Sequence, residues 1–238
     1  MKYLYGIQPT GKIHIGNYLG GLKLAIEKKA DVLIAVHHAM TSNGGKWIEF
    51  ASADFVGQLD KLGATYFYQE NESVPLSWKI QCLTPMSDLN RMTQFKNKGE
   101  GNVGLLTYPC LMAADIILAN PDFVIVGEDQ MQHMEFYRRT CKRMGIKKVA
   151  RTILTDTPRI MSIKDPSKKM SKSLGDEHCL YLGDHEDNKK KVMKAPTTPE
   201  GIENLRTIAK GIGSDFDEGN MKRSKENIIQ ALPLIYGV

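Results

Sequence analysis

Two short strings in this chain carry side chains suited to phosphate chemistry. His14-Ile15-Gly16-Asn17 follows the first apolar run, and Lys169-Met170-Ser171-Lys172-Ser173 stands far downstream. Lys169 and Lys172 share a short polar loop and can present two ammonium groups to one pyrophosphate as point charges, with Ser171 and Ser173 adding hydroxyl donors. On charge alone such a run, with Lys164 and Lys168 ahead of it, reads as a solvated loop. The Gln8-Pro9-Thr10-Gly11 turn lets backbone approach a ligand closely. A helix opening near His14 would aim N–H groups and the positive end of its dipole at phosphates. His14 can add an N–H donor as charge develops on a phosphate oxygen.

A second constellation suits an aromatic ligand. In Tyr108-Pro109-Cys110-Leu111-Met112-Ala113-Ala114-Asp115-Ile116, helical spacing puts Tyr108, Met112 and Asp115 on one face. An aromatic hydroxyl, a pliable thioether and a carboxylate then share one pocket wall. An indole offers a flat apolar body and a single N–H donor, which the carboxylate can accept while Met112 packs on the ring. The competing reading is an amphipathic core helix whose Asp115 is salt-bridged. Gly127-Glu128-Asp129-Gln130 follows an apolar run and opens a helix, the place where a doubly wound sheet presents ligands at its carboxyl edge.

The elements that must position these groups alternate β-rich runs with helical periodicity, the pattern of a parallel sheet covered by helices. Strands are predicted at Tyr3 to Ile7, Asp31 to Val36 and Ala64 to Tyr68, a βαβαβ unit of the Rossmann type, then at Phe123 to Val126 and Thr152 to Leu154. Helices are predicted from near His14 to Ile26, Lys46 to Leu62, Val74 to Gln94 with a break at Pro85, and Asp129 to Met144. Another is expected to open with Thr107 as N-cap and Pro109 in its first turn, and run to Leu118, after a loop from Lys96 to Gly104. The tail from Lys189 shows helical segments near Gly201 to Lys210 and Lys222 to Leu232.

At 238 residues the chain can bury a full core and hold one large domain with a small appendage. Hydrophobic residues at 42%, charged residues at 25% and a net charge of +5 describe a soluble protein with a mild basic bias. That bias is compatible with a phosphate-rich partner, and surplus surface lysine accounts for it equally well. Cys82, Cys110, Cys141 and Cys179 form no paired motif, so they are expected to be buried reduced thiols rather than a zinc site or disulfide framework. The N-terminus makes no signal core and no run is long enough to span a bilayer, which makes the cytoplasm the expected location.

The order and separation of the two phosphate strings, with Gly6-Ile7-Gln8-Pro9-Thr10-Gly11 ahead of the first, resemble the HIGH and KMSKS signatures of class I aminoacyl-tRNA synthetases. Asn17 stands where the commonest form has a second histidine, and resembles a variant in the tryptophan branch. The Tyr108 to Ile116 stretch resembles that branch's specificity helix. His38-Ala39-Met40-Thr41 resembles a segment of its tryptophan pocket, with Leu4, Val124 and Val126 as apolar neighbours. Lys96 and Lys98, after Met92-Thr93-Gln94-Phe95, resemble a second phosphate-gripping element. Val36 departs from the acid often found there.

The resemblance runs from Tyr3 to about Ser173 and implies a Rossmann-type α/β catalytic domain over residues 1–185 with a reduced helical tail over 186–238. The anticodon-reading module is therefore expected to be reduced or missing, leaving tail residues Lys189, Lys190, Lys191, Lys194, Lys222, Arg223 and Lys225 to grip backbone phosphates. The implied activity joins tryptophan to its tRNA through an adenylate, using ATP whose Mg²⁺ is carried by the nucleotide, with no dedicated protein metal site. Gln8, Thr10, Gly16, Asn17, Gly127, Asp129, Gln130, Lys96, Lys98, Lys169, Met170, Ser171 and Lys172 would meet ATP. Lys98, Lys169, Lys172, His14 and Asn17 would assist the chemistry. Leu4, Gln8, His38, Tyr108, Met112, Asp115, Ile116, Val124, Val126 and Gln130 would hold tryptophan, with Tyr108 and Gln130 on its amino group and Asp129 on the ribose. A homodimer is implied and no membrane. The rival readings are a tyrosyl ligase and a tryptophan-binding regulatory protein without tRNA charging.

Overall fold

The computed structural model describes residues 1–41, 45–46, 51–93, 95, 102–155 and 159–235. Lys96 and Lys98 lie outside the described residues. The chain divides into two compact units that interleave along the sequence: Met1–Thr10, Glu27–Ala53 and Ala64–Leu154 form the first, and Gly11–Ile26, Asp54–Gly63 and Thr155–Val238 form the second.

The first unit is organised by a five-stranded parallel sheet of β1 (Tyr3–Ile7), β2 (Asp31–Ile34), β3 (Thr65–Tyr68), β4 (Phe123–Val126) and β5 (Arg151–Leu154). Its spatial order is β3-β2-β1-β4-β5, so the chain winds outward from β1 and then returns to its other side, as the Rossmann pattern requires. The strands on either side of β1, β2 (DVLI) and β4 (FVIV), are dominated by Val, Ile, Leu and Phe, as expected for a sheet covered on both faces. Leu4 lies opposite Val124 in register, and both enter a core with Leu33, Ile80, Ile116, Val126, Met134 and Phe136. Burying each such side chain contributes about 1.5–3 kcal/mol.

The second expected strand stops at Ile34, two residues early, and the chain turns into α3 (Val36–Met40), which buries His37 and His38. Helices α5 (Ser73–Cys82) and α6 (Met86–Asn90) flank the Pro85 break as read from the sequence. The next helix, α7 (Val103–Ala119), opens four residues before the expected cap at Thr107. Asn102 is its N-cap, accepting the Leu105 N–H at 2.8 Å, and Pro109 sits buried inside the helix. Tertiary burial overrides the usual cost of an interior proline here, because α7 is apolar around most of its circumference. After β4, a 3-10 turn (Glu128–Gln130) leads into α8 (Met131–Arg143). Cys110 and Cys141 are buried, but Cys82 is exposed on α5, against expectation.

The second unit holds α1 (Ile15–Asn17), a π-helical turn (Tyr18–Leu22) and α2 (Lys23–Glu27), in place of one uninterrupted helix; its last residue belongs to the first unit's segment. The break falls at Gly21, whose backbone is non-helical. Helix α4 (Ala53–Lys61) begins well after Lys46, where the sequence placed its start. Its buried Gln58 accepts the Ile13 N–H at 2.6 Å and donates to the Leu182 carbonyl at 2.8 Å. The same two segments are joined directly by Leu182 N–H to Ile13 O and Ile15 N–H to Leu180 O. Residues 160–162 pair antiparallel with 168–170, through Ser162 N–H to Lys168 O and Met170 N–H to Ile160 O. Three helices follow: α9 (His185–Lys194), which the sequence reading missed, α10 (Pro199–Ile212) and α11 (Met221–Leu234). No helix is long and apolar enough to cross a membrane, among the described residues.

Gln58→Leu keeps the volume but leaves a buried N–H and a buried carbonyl unanswered. It is expected to destabilise the protein by about 1–3 kcal/mol, measured as a lower urea midpoint with an unchanged slope.

Candidate functional site

In the second unit the His14 string is built as a reciprocal cap. The His14 N–H donates to Asn17 Oδ1 at 3.4 Å, and the Asn17 N–H donates to His14 Nδ1 at 3.3 Å. An Nδ1 that accepts must be unprotonated, so the neutral ring carries its proton on Nε2, a donor suited to a phosphate oxygen. Burial, aided by the charges of Lys172 and Lys169, pushes the His14 pKa down to about 3. The Ile15 and Asn17 N–H groups are already used inside the protein, so the short α1 offers fewer anion-binding donors than a full helix terminus would. Gly16 has a steric reason: a Cβ there would meet His14 Nδ1 at 3.0 Å and Met170 Sδ at 3.5 Å.

The lysine string lies in the same unit. Met170 is buried and anchors it, while Lys169 is exposed and Ser171 hydrogen-bonds Ser173 between their hydroxyls at 2.9 Å. Lys172 Nζ donates to the Gly11 carbonyl at 3.0 Å, at the end of the Gln8 to Gly11 turn. Burial lowers its pKa to about 8. Two tail lysines are spent internally. Lys191 pairs with Asp187 and Asp176, and Lys225 donates to the Met193 and Ala195 carbonyls. Lys189, Lys190, Lys194, Lys222 and Arg223 remain exposed.

In the first unit, the ends of several parallel strands and α7 bring a polar cluster together. Asp115 is buried and hydrogen-bonded. Its buried carboxylate accepts from His38 Nε2 at Oδ2, 2.8 Å away, and from Gln69 Nε2 at Oδ1 and Oδ2, 2.8 and 2.9 Å away. Tyr108, a turn and more before Asp115 on α7, hydrogen-bonds His133 Nε2 at 2.8 Å and meets the His38 ring edge-on. Burial pushes the Tyr108 phenol up and the His133 imidazole down to about 4. Met112 packs against the core that contains Leu4, Ile116, Val124 and Val126, so these five apolar candidates are contiguous.

After the end of β4, Gln130 Nε2 donates to Asp129 Oδ2 at 2.9 Å. A Cβ on Gly127 would lie 2.7 Å from Asp129 Oδ1, so glycine is what admits that carboxylate. Gln8 and Thr10 form the turn closed by Thr10 N–H to Gln8 O at 2.9 Å. The residues that sequence reasoning missed are Gln69 and His133. For Gln69 the one available signal was an amide placed directly after an apolar strand, at the carboxyl edge. Among the described residues, no group of three or more His, Cys, Asp or Glu side chains is arranged to hold a metal ion.

This sheet order with these two signatures defines a class I synthetase catalytic fold, and residues 1–227 match the family model for tRNA synthetases class I (W and Y). The chain belongs to that family. It is 39% identical over 245 aligned positions to the tryptophan--tRNA ligase of Caldanaerobacter subterraneus subsp. tengcongensis, covering 87% of this chain and 75% of the relative. Among solved structures it is similar to the tryptophanyl-tRNA synthetase from Mycoplasma pneumoniae, with 29% identity and a TM-score of 0.79, over 99% of this chain and 85% of that one. The Campylobacter jejuni tryptophanyl-tRNA synthetase complexed with ADP and tryptophan is 25% identical, with a TM-score of 0.71, over 100% of this chain and 88% of that one.

His14 and His133 stay neutral in the folded chain down to about pH 3 and about pH 4, whereas both charge near 6.5 once unfolded. The unfolded chain therefore binds more protons in between, so stability is fully present above pH 6.5 and is lost as pH falls toward 4. Urea midpoints are expected to decline across that window, and His14→Gln should flatten the decline.

Proposed function

We propose that this chain is a tryptophan–tRNA ligase that forms tryptophanyl-adenylate and transfers tryptophan to the 3′ end of its tRNA. The observation that carries this reading is the Asp115 carboxylate, buried on the helix that also bears Tyr108 and Met112. With Oδ2 accepting two hydrogen bonds and Oδ1 one, a lone pair on Oδ1 is left for the indole N–H. The identity to tryptophan--tRNA ligases supports the same choice over the tyrosyl reading, and the lysine string argues against a mere tryptophan sensor, which has no leaving group to stabilise.

In this reading the ammonium group of tryptophan is held by Tyr108 and Gln130, Asp129 meets the ribose, and Leu4, Gln8, His38, Met112, Ile116, Val124 and Val126 hold the ring and its surroundings. The Tyr108 hydroxyl hydrogen-bonds His133 Nε2 at 2.8 Å, which orients the phenol. The tryptophan carboxylate attacks the α-phosphate of ATP, one carboxylate oxygen–phosphorus bond forms, and the bond to the bridging oxygen of pyrophosphate breaks. Lys96, Lys98, Lys169 and Lys172 answer the growing negative charge, with the His14 Nε2–H and Asn17 as neutral donors. Gly16, Gly127, Thr10, Met170 and Ser171 shape the nucleotide's surroundings. Mg²⁺ enters with the nucleotide. The tRNA 3′ hydroxyl then attacks the acyl carbon and AMP departs. No side chain becomes covalently attached; position and charge do the chemistry.

Residues 1–185 make the catalytic part in this reading and 186–238 a helical tail whose exposed lysines contact tRNA backbone. A homodimer is supported by α5, where Val74, Trp78 and Cys82 form one exposed stripe, continued by Leu83 and Met86. Three further cysteines that are buried and unpaired suit a reducing cytoplasm.

Tryptophan, and not tyrosine, is expected to drive ATP–pyrophosphate exchange. Asp115→Asn should weaken that exchange by ~1–3 kcal/mol in transition-state binding while the KM for ATP holds; unchanged kinetics would defeat the assignment. Because Lys172 loses its proton near pH 8, kcat/KM for ATP should fall as pH rises through about 8. Lys172→Arg, which stays charged, should carry activity to higher pH, read from the same profile.

A further inference from the structure

Gln69 follows the last residue of β3, and its own N–H continues the β2–β3 ladder to the Ile34 carbonyl at 3.0 Å. Its side chain is buried and hydrogen-bonded at both ends of the amide. Oε1 accepts the His37 N–H at 2.9 Å, while Nε2 donates to both oxygens of Asp115. The two ends of the amide therefore cannot exchange places: a flipped Gln69 would set an oxygen against a carboxylate and an N–H₂ group against an N–H. The amide fixes the rotation of the Asp115 carboxylate and, through His37, the entry of the helix that carries His38.

We propose that Gln69 is a positioning residue for substrate selection, turning Asp115 so that His38 and Gln69 saturate Oδ2 and one lone pair of Oδ1 stays aimed at the indole N–H. The proposal rests on the reading of Asp115 as the acceptor of that N–H. It assigns to Gln69 no contact with substrate. What Gln69 supplies is direction, since a carboxylate free to rotate loses much of the advantage of a preorganised acceptor. The titratable groups around it are His37 and His38 from α3 and Asp115 from α7, and Glu70, next in the chain, lines a small cavity with Asp115.

The test compares exchange kinetics with tryptophan and with β-(benzothiophen-3-yl)alanine, which keeps the ring shape but lacks the N–H, in Gln69→Glu, Gln69→Met and Asp115→Asn variants of the whole chain. In Gln69→Glu the new carboxyl faces Asp115. Protonated, it donates to Asp115 as the amide does; ionised, it repels it. The ratio of kcat/KM for tryptophan over the analogue is expected to fall by roughly tenfold at pH 8.5, as for loss of one oriented hydrogen bond, and to recover toward the wild-type value at pH 6. Gln69→Met should lower the ratio at both pH values. A ratio that stays at the wild-type value in Gln69→Met and flat with pH in Gln69→Glu overturns the proposal. If Gln69→Met does not fold, the pH dependence of Gln69→Glu decides alone. Should Asp115→Asn change the ratio while the Gln69 variants do not, only the role of Gln69 fails. Should Asp115→Asn leave the ratio unchanged, the reading of Asp115 fails and the proposal with it.

Discussion

A carboxylate withdrawn from water has to be answered by hydrogen bonds, or its burial costs several kcal/mol. Asp115 imposes that demand in the middle of an otherwise apolar helix, and much of the first unit is arranged to meet it. Strand β2 ends early and the following turn brings His38 to Oδ2, while Gln69, directly after β3, donates to both carboxylate oxygens. The parallel sheet makes this economical, because the carboxyl ends of all its strands come out along one edge. A single buried charge thereby fixes the ends of two strands, one short helix and the rotation of α7.

The second unit handles charge in the opposite way. Its cations sit in a loop near the surface, and its histidine is kept neutral by burial and by the neighbouring lysines. Neutrality has a use: a ring whose Nδ1 is committed to the Asn17 N–H has only one place left for its proton. Asn17, a departure from the commoner histidine, is part of that device, since its Oδ1 closes the cap from the other side. The position of the ring's proton is then defined by local backbone geometry.

Strands were the most legible part of the sequence, because short runs of β-branched and apolar residues bounded by turn residues admit few other structures. That Tyr108, Met112 and Asp115 share one helix was legible from their spacing. Errors came where a local rule met tertiary burial. Pro109 suggested a first helical turn, but Asn102 caps the helix and the apolar surroundings tolerate the proline inside it. Helix α9 went unread because Asn188 and Val192 are its only buried residues, too few to make a periodic apolar face. Gln69 and His133 were hidden entirely, since nothing along the chain states that a glutamine from one strand end will meet an aspartate 46 residues away.

The interleaving of the two units constrains the order in which the chain can be assembled. Residues 11–26 leave the ribosome early, yet their ladder partners, Leu180 and Leu182, are made much later. The first unit can settle its sheet once β5 has emerged, and until the later segment follows, Ile13, Ile15, Leu19 and Leu22 must wait with their apolar faces uncovered. Contacts this distant in sequence close slowly and leave the waiting segment open to wrong partners. For the growing chain, the stretch that later holds His14 thus stays exposed until residues 180–182 have been made.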